Sequence, residues 1–415
     1  MKNNYSMKNR RALFSAFLIA VSFLSCNRSD SYIVKVTGCG LDSCADNSRM
    51  LVFPYDADFR FDAPVASATV VDGAFSLSFR DSVTRVYELV AEEDIRRRSF
   101  MTYTFFSDDE PLHFTFIRKY GVQRAEVAGS PDNEELYLYR NRWHLLCEPA
   151  DSLEYEVDQW RVSKYGADGY PERGSADAAR LYAEYEMISR MLDSLKEASG
   201  YEEWLYDRIC HHKTLAGLFR VAQALDRELM LVDRNPERQI DTMWLGLYAD
   251  YRPLYPDSWL VHRTDGLLAS AERLRPGQSF PDFSAPSTDG SRYRLSELVE
   301  GRIAVLDCWA SWCLPCRRHS IELIPLYEKY RDRGFTVVGV AREYDDLDDM
   351  RQAIEKDGYP WVQLYDLDNT EGIWELYGLS TAGGGIFLID REGRIVEKVA
   401  DIESVRSYLE EHLGR

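Results

Sequence analysis

Hydrophobic residues change their spacing along this chain of 415 residues. Between residues 31 and 128 they alternate with polar residues in short runs, which turn signals such as Asp72-Gly73 separate. A period of two is that of a β-strand with one buried face, so we expect a small all-β domain at residues 27–129, built as a sandwich or a barrel. The seven predicted strands are Tyr32–Thr37, Met50–Pro54, Ala66–Val71, Ala74–Phe79, Val86–Ala91, Met101–Phe106 and Leu112–Ile117.

From Ser130 the apolar residues recur three and four positions apart, which predicts an all-helical region at residues 130–274. Ser130 is a favourable N-cap before Pro131, so a first helix is expected to run to about Leu146. The glycine-rich segment from Pro149 to Ser175 is predicted to be a mobile loop. Five further helices are predicted at Ala176–Ala198, Glu202–His211, Thr214–Leu229, Pro236–Tyr251 and Asp257–Leu274. No catalytic signature occurs in this region, and its aromatic stripe is most simply core.

After Arg275 the chain alternates between β-prone and helix-prone runs, beyond a short hairpin around Thr288-Asp289-Gly290. The order is βαβ followed by an antiparallel pair, which predicts an α/β domain at residues 275–415. Its predicted strands are Ile303–Trp309, Thr336–Ala341, Trp361–Tyr365, Ile386–Ile389 and Arg394–Val399, and its helices Cys316–Arg331, Asp346–Lys356, Glu371–Leu376 and Ile402–Leu413.

The strongest chemical signal is Cys313-Leu314-Pro315-Cys316, where a predicted strand gives way to a helix. Unpaired N–H groups and the helix dipole stabilise a thiolate there, so the pKa of Cys313 is expected to lie below the ordinary value of about 8.5. We expect Cys313, which also gains solvent access, to be the nucleophile and Cys316 to resolve the mixed disulfide. Metal binding and a structural disulfide are the alternatives, but no second pair at zinc-finger spacing follows.

Asp307 lies six residues before Cys313 on the same predicted strand, and it would lie under the cysteine pair. Burial raises the pKa of a carboxyl group, which could then relay the proton of the resolving thiol. The alternative is a partly exposed aspartate at the end of a strand. Cys308 should face the opposite side of the strand as a small buried residue.

Further motifs surround this cysteine pair, namely Pro276-Gly277-Gln278-Ser279-Phe280-Pro281-Asp282-Phe283, Leu295-Ser296-Glu297-Leu298, Val305-Leu306-Asp307, Tyr377-Gly378 and Phe387-Leu388-Ile389-Asp390. Together with W-C-L-P-C they resemble a TlpA/ResA-type thioredoxin domain over residues 276–415. The resemblance implies an extracytoplasmic, membrane-tethered thiol-disulfide oxidoreductase, usually a reductase. It also implies protein disulfide substrates, a membrane electron donor, no cofactor and no bound metal, and cytochrome c maturation as one process to consider.

The resemblance places substrate contacts at Trp312, Pro315, Gly384 and Gly385, but the chain departs from the family pattern close to them. Gly384 stands where the family has a cis-proline, which normally forms a rigid edge for the substrate and shields the thiols from metal. His319 and Ile321 replace a frequent glutamate and a usual proline, and Pro325 follows one turn later. We therefore expect a more flexible loop at Gly384, the alternative being a tolerated loop insertion.

The first 26 residues have the features of an export signal. Basic residues precede an apolar run from Ala12 to Leu24, which is too short for a transmembrane helix. The run ends Phe23-Leu24-Ser25-Cys26, which resembles a lipoprotein lipobox, so we expect lipid on Cys26 and attachment to a membrane. This predicts a lipoprotein of the cell envelope that faces the periplasm, with an ordinary signal peptide cut nearby as the alternative. The β region also resembles the domain of unknown function that precedes thioredoxin domains in Bacteroides-type lipoproteins, through Val70–Phe75 and Val127–Glu134.

The net charge of −19 makes nucleic acid an implausible partner. The chain has eight cysteines, and an exported protein permits disulfides, so Cys39 and Cys44 are either bonded or free. Two functions remain: a tethered disulfide reductase, or a thioredoxin-fold module for binding or redox sensing. A peroxidase is less well supported, because the P-x-x-x-[ST]-x-x-C context is absent around Cys313.

Overall fold

A computed structural model describes residues 31–41, 47–97, 101–120, 122–166, 169–234, 238–379 and 383–414. The predicted signal peptide with Cys26, and also Cys44, lie outside the described residues. Within the described ranges, no helix has the length and apolar character needed to cross a membrane.

The N-terminal region consists of two four-stranded sheets. The strands are β1 (Tyr32–Cys39), β2 (Arg49–Pro54), β3 (Ala66–Thr69), β4 (Phe75–Asp81), β5 (Val86–Ala91), β6 (Thr102–Phe106), β7 (Leu112–Lys119) and β8 (Val122–Ala128), with helix α1 (Glu92–Arg97) after β5. One sheet has the order β4-β1-β7-β8 and the other β3-β2-β5-β6. The alternating residues Val34, Val36, Phe75 and Leu77 are buried, as a period of two predicts.

Strand β8 was not predicted from the sequence. A charged residue, Arg124, takes one of its buried positions and hides the apolar alternation. Arg124 is neutralised by Glu148 at 2.6 Å and by Asp151 at 2.9 Å, both from the helix that follows. A buried charge is tolerated when it is paired in this way, so a strand can form where the sequence is polar.

The middle region is helical, as predicted. Its helices are α2 (Pro131–Tyr165), α3 (Ala176–Ser199), α4 (Tyr201–His211), α5 (Leu215–Arg234), α6 (Thr242–Tyr251) and α7 (Trp259–Arg273). Helix α6 begins later than the predicted Pro236, at an N-cap formed by Asp241, whose carboxylate accepts from Met243 N at 2.8 Å. Ser130 precedes α2 as predicted, but its hydroxyl donates to Asp108 at 2.8 Å instead of capping the helix.

The prediction of a loop from Pro149 to Ser175 is wrong up to Tyr165, because α2 continues through Pro149 to that residue. Proline inside a helix removes one hydrogen bond and normally bends or ends the helix. Here Arg124 of β8 binds Glu148 and Asp151 on the two sides of the proline. The ion pairs to the sheet hold this part of the helix in place, a tertiary effect that local sequence does not report.

Most buried apolar residues of the β region and of the helical region form one continuous hydrophobic cluster. It joins sheet residues such as Phe105 and Phe114 to helix residues such as Tyr137, Phe219 and Tyr251. Phe106 and Phe219 meet edge to face, with ring centroids 5.8 Å apart. The predicted boundary at residue 130 therefore does not separate two cores.

The C-terminal α/β domain contains seven strands and five α-helices among the described residues. The strands are β9 (Ser284–Pro286), β10 (Arg292–Arg294), β11 (Ile303–Trp309), β12 (Phe335–Glu343), β13 (Val362–Leu367), β14 (Gly385–Ile389) and β15 (Ile395–Val399), and the helices α8 (Leu295–Val299), α9 (Leu314–Tyr330), α10 (Asp348–Asp357), α11 (Ile373–Leu376) and α12 (Ile402–Leu413). The central sheet has five strands in the order β13-β12-β11-β14-β15. Strands β11, β12 and β13 are parallel, and β14 and β15 are antiparallel to their neighbours, as expected.

Strand β11 is buried along its whole length and has a separate hydrophobic cluster on each face. Val305 and Trp309 belong to the cluster that contains residues of α9, and Leu306 and Cys308 to the other. Helix α7 contacts this domain, because the buried Ser270 donates to the Glu375 carbonyl at 3.4 Å.

Candidate active site

The predicted cysteine pair lies where β11 ends and α9 begins. Cys313 is the N-cap residue of α9, and its sulfur accepts a hydrogen bond from Cys316 N at 3.3 Å. The two cysteines form a disulfide, with their Cα atoms 5.3 Å apart. A sulfur that accepts a backbone N–H at a helix start is placed where negative charge is favoured, which is the geometry expected for the nucleophile.

The turn before Cys313 is held by groups that the sequence analysis did not single out. Ser311 donates to the buried Glu343 from its backbone N at 2.7 Å and from its hydroxyl at 2.6 Å. Arg317 donates to the Ser311 carbonyl at 3.2 Å and makes two bonds to Asp357, of 2.6 and 2.8 Å. The one available signal was the position of Glu343 at the end of a long apolar run.

The surroundings of Glu343 and Asp357 determine the pKa values of these two carboxyl groups. Burial raises the pKa of Glu343, although its bonds from Ser311 act in the opposite direction. The hydrogen bonds from Arg317 lower the pKa of Asp357. Asp357 is therefore the ionised partner of Arg317, and the pair fixes the first turn of α9 from the side of α10.

Asp307 lies in the interior, 1% exposed, and its two oxygens have no hydrogen-bond partner among the described residues. Burial raises its pKa to about 7, and the nearby Ser320 hydroxyl opposes this effect only in part. Ser320 donates to the Cys316 carbonyl at 3.1 Å, so the hydroxyl that acts on Asp307 also contacts the first turn of α9. The alternative of a partly exposed aspartate is wrong for this structure.

Cys308 is buried and forms no disulfide with a described cysteine. Its side chain lies on the face of β11 opposite to that of Asp307, as predicted from the strand period. Burial raises its pKa well above the ordinary value, so it is a poor nucleophile. Cys39 forms no disulfide with any described cysteine. Among the described residues, no three His, Cys, Asp or Glu side chains are grouped closely enough to hold a metal ion.

Gly384 and Gly385 lie at the end of β11 from which the chain continues to Cys313. Gly385 pairs with Cys308 in the sheet, and the Gly383 carbonyl accepts from Trp374 Nε1 at 2.8 Å. A Cβ at Gly384 would lie 1.8 Å from the Cys308 carbonyl oxygen. Close approach of two backbones therefore requires glycine at this position, a reason that the sequence alone did not provide.

The solvent access expected for Cys313 is not observed, because Cys313 is 7% exposed and Cys316 is half-buried. The sulfur of Cys313 is turned back to the helix start, and the neighbouring Trp312 is covered by a residue of the β region. The Arg60 guanidinium lies 4.1 Å from the centroid of the Trp312 ring. Pro315 and Leu314 form the exposed side of the motif.

Residues 276–398 match the AhpC/TSA family. The thiol-disulfide oxidoreductase ResA of a Bacillus cereus strain is 28% identical over 155 residues, which cover 36% of this chain and 83% of the relative. The thiol:disulfide interchange protein DsbE of Allochromatium vinosum is 32% identical over 121 residues, covering 28% of this chain and 62% of the relative.

The C-terminal region has a thioredoxin fold. A solved thioredoxin domain of a thiol-disulfide oxidoreductase from Bacteroides vulgatus is 27% identical to it, with a TM-score of 0.31, and the match covers 33% of this chain and 97% of that one. Within the thioredoxin domain, the paired cysteines at the start of α9 occupy the position that a dithiol needs for exchange.

Proposed function

We propose that this protein is an extracytoplasmic disulfide reductase, tethered to a membrane through lipid on Cys26. The observation that carries the proposal is the disulfide of Cys313 and Cys316 at the start of α9, above the unpartnered carboxyl group of Asp307. The relatives described above are named as a thiol-disulfide oxidoreductase and a thiol:disulfide interchange protein, which supports exchange chemistry at this pair.

In the proposed reaction, the reduced Cys313 thiolate attacks one sulfur of a substrate disulfide. An S–S bond forms between Cys313 and the substrate, and the other substrate sulfur leaves as a thiolate that takes a proton from solvent. Asp307 then accepts the proton of Cys316, in steps that buried water would have to connect. The Cys316 thiolate attacks the Cys313 sulfur and breaks the mixed disulfide, and the second substrate sulfur leaves as a thiolate that takes the proton held by Asp307.

Two electrons have then moved from the dithiol to the substrate, and the enzyme is left as the disulfide described here. A membrane electron donor returns the two electrons. Trp312, Pro315, Gly384 and Gly385 are proposed to contact the substrate beside the reacting sulfurs. Asp307 acts as a proton carrier because a carboxyl group with a pKa of about 7 can both take and give a proton near neutral pH.

Insulin reduction by dithiothreitol tests the proposal. The wild-type protein should accelerate it, and Cys313→Ser should not. Cys210→Ser, which removes a half-buried thiol of the helical region, is the matched control and should behave as the wild type. A wild type no faster than the control without protein would refute the reductase function.

The second candidate is a binding or redox-sensing module with little turnover. The observation that favours it is the low exposure of Cys313 beside a covered Trp312. Such a module would cycle between dithiol and disulfide with added oxidant, yet leave insulin intact. The two functions therefore differ in the same insulin assay.

A further inference from the structure

The loop between β2 and β3, residues 55–65, reaches from the β region to the thioredoxin domain. The Phe61 ring stacks on Tyr344, with centroids 4.2 Å apart and planes 8° from parallel. It also meets Trp312 at 5.5 Å, with the planes tilted by 43°. The Arg60 guanidinium lies over the same tryptophan, 4.1 Å from the ring centroid. The residue next to Cys313 is thus contacted by two side chains from a remote part of the chain.

The tip of the β2–β3 loop is held in one conformation by its own hydrogen bonds. Asp58, 8% exposed, accepts from the Arg60 backbone at 3.1 Å and from Arg60 Nε at 2.8 Å. The Asp58 carbonyl accepts from Phe61 N at 3.0 Å and from Asp62 N at 2.8 Å. Arg60 is therefore aimed by Asp58, and it does not depend on Trp312 for its position.

The base of the loop is anchored to the β region and to the helical region. Phe59 packs on Phe53 of β2, with ring centroids 4.8 Å apart. Arg263 of α7 donates to Asp56 at 3.1 Å and to Asp226 of α5 at 2.9 Å. A loop fixed at its base and ordered at its tip presents Arg60 and Phe61 as a preformed surface.

Resting on the reductase function proposed above, we propose that Arg60 and Phe61 are specificity-determining residues that cap Trp312. The cap occupies the aromatic surface that a polypeptide substrate would use beside Cys313. A protein disulfide must displace the two side chains before its sulfur reaches Cys313, whereas a small disulfide needs no such surface. The cap thus selects against bulky disulfides unless their flanking residues can take over the contacts to Trp312 and Tyr344.

These contacts define the chemistry of a favoured substrate. Tyr344 offers a ring face for stacking, and Trp312 offers a face for a cation. Asp58 and Asp62 lie close enough to Tyr344 for their charges to act on it. A protein segment with an aromatic and a basic side chain near its cystine would replace Phe61 and Arg60 most easily.

The test compares the wild type with the double variant Arg60→Ala, Phe61→Ala. The reduced proteins are alkylated with small iodoacetamide and with a bulky polyethylene-glycol maleimide, and Cys313 is followed by peptide mapping. The ratio of the bulky to the small rate should rise several-fold in the variant, because loss of the cap opens the approach to the sulfur without changing it chemically. Insulin reduction should quicken by a similar factor, and turnover of 2-hydroxyethyl disulfide should stay the same.

Two control variants distinguish the effect of losing the cap from a general effect of mutation on the structure. Tyr120→Ala removes an aromatic ring of similar exposure from the β region and should leave every rate unchanged. Phe61→Tyr, with Arg60 intact, keeps the stacking and should restore the wild-type ratio. Thermal denaturation of each variant shows that it is folded.

An unchanged ratio of alkylation rates in the double variant would refute the proposed cap. Slower insulin reduction by the double variant would also refute it, because the loop would then help to bind the substrate. If no protein reduces insulin or 2-hydroxyethyl disulfide, the proposed reductase function fails. The alkylation ratio still decides on the cap in that case, since it needs only a reduced Cys313.

Discussion

Replacing the buried Asp307 by asparagine should change how the stability of this protein depends on pH. Asp307 has a pKa of about 7 in the folded chain against an ordinary value of 3.8. Between these two values the folded state holds a proton that the unfolded chain has lost. Unfolding then releases a proton, so the free energy of unfolding falls as pH rises through this window and is level above about pH 7.

The size of the effect follows from the shift in pKa. A shift of roughly three units at about 1.4 kcal/mol per unit corresponds to about 4 kcal/mol, an order of magnitude that applies because the group is buried. The side chain of the Asp307→Asn variant is neutral at every pH, so its free energy of unfolding would not fall by this amount as the pH rises. It leaves a buried amide without a partner, at a cost of about 1–3 kcal/mol that does not vary with pH.

Urea denaturation of the oxidised protein at about pH 4 and about pH 8.5 measures the difference. The wild type should lose about 4 kcal/mol more than Asp307→Asn between the two conditions. Asp193→Asn, at an exposed position of α3, should follow the wild type. Parallel curves for wild type and Asp307→Asn would refute the raised pKa, and with it the basis for proton relay by this residue.

The remaining predictions concern the thiols, the lipid and the glycine-rich segment. After reduction, a limiting amount of iodoacetamide at neutral pH should label Cys313 rather than Cys316, as peptide mapping will show, and equal labelling would contradict their assigned roles. Cys26→Ser should shift the protein from the membrane to the soluble fraction or leave its signal uncleaved. If the variant stays with the membrane as the wild type does, the anchor is a different one. Gly384→Ala should lower the free energy of unfolding by about 1–3 kcal/mol, since its Cβ would overlap a backbone oxygen. Gly383→Ala, with open space around it, should be neutral, and equal stability of the two variants would refute the close approach.

The close approach at Gly384 also revises the expectation of a flexible loop there. Gly384→Pro would test a missing cis-proline only if the backbone could accept a side chain. Because a Cβ would meet the Cys308 carbonyl, that variant would disturb the end of β11 itself.

Sequence reasoning succeeded where one local signal and the tertiary structure agree. The bounds of β11 follow from an apolar run that only Asp307 interrupts, and the burial of Asp307 follows from its place in that run. It failed where distant residues decide the local structure. Helix α2 continues beyond Pro149 because Arg124 binds on both sides of the proline, and no residue near Pro149 indicates this.

The candidate site shows the same division. The position of the two cysteines at a helix start could be predicted from the change of a β-prone run into a helix-prone run. Phe61 could not, because it lies 251 positions before Trp312 and 283 positions before Tyr344, far beyond any local pattern. The stack of Phe61 on Tyr344 and its contact with Trp312 are tertiary features of the fold.

The hydrophobic cluster shared by the β region and the helical region has a practical consequence for fragments of this protein. Cutting the chain at residue 130 would divide that cluster and leave apolar faces on both pieces, which favours aggregation. Cutting near residue 275 would leave the cluster whole and would give a thioredoxin domain with its disulfide but without Phe61. On the proposed role of the cap, a truncated domain of this kind would keep the cysteine pair and lose the selection among substrates.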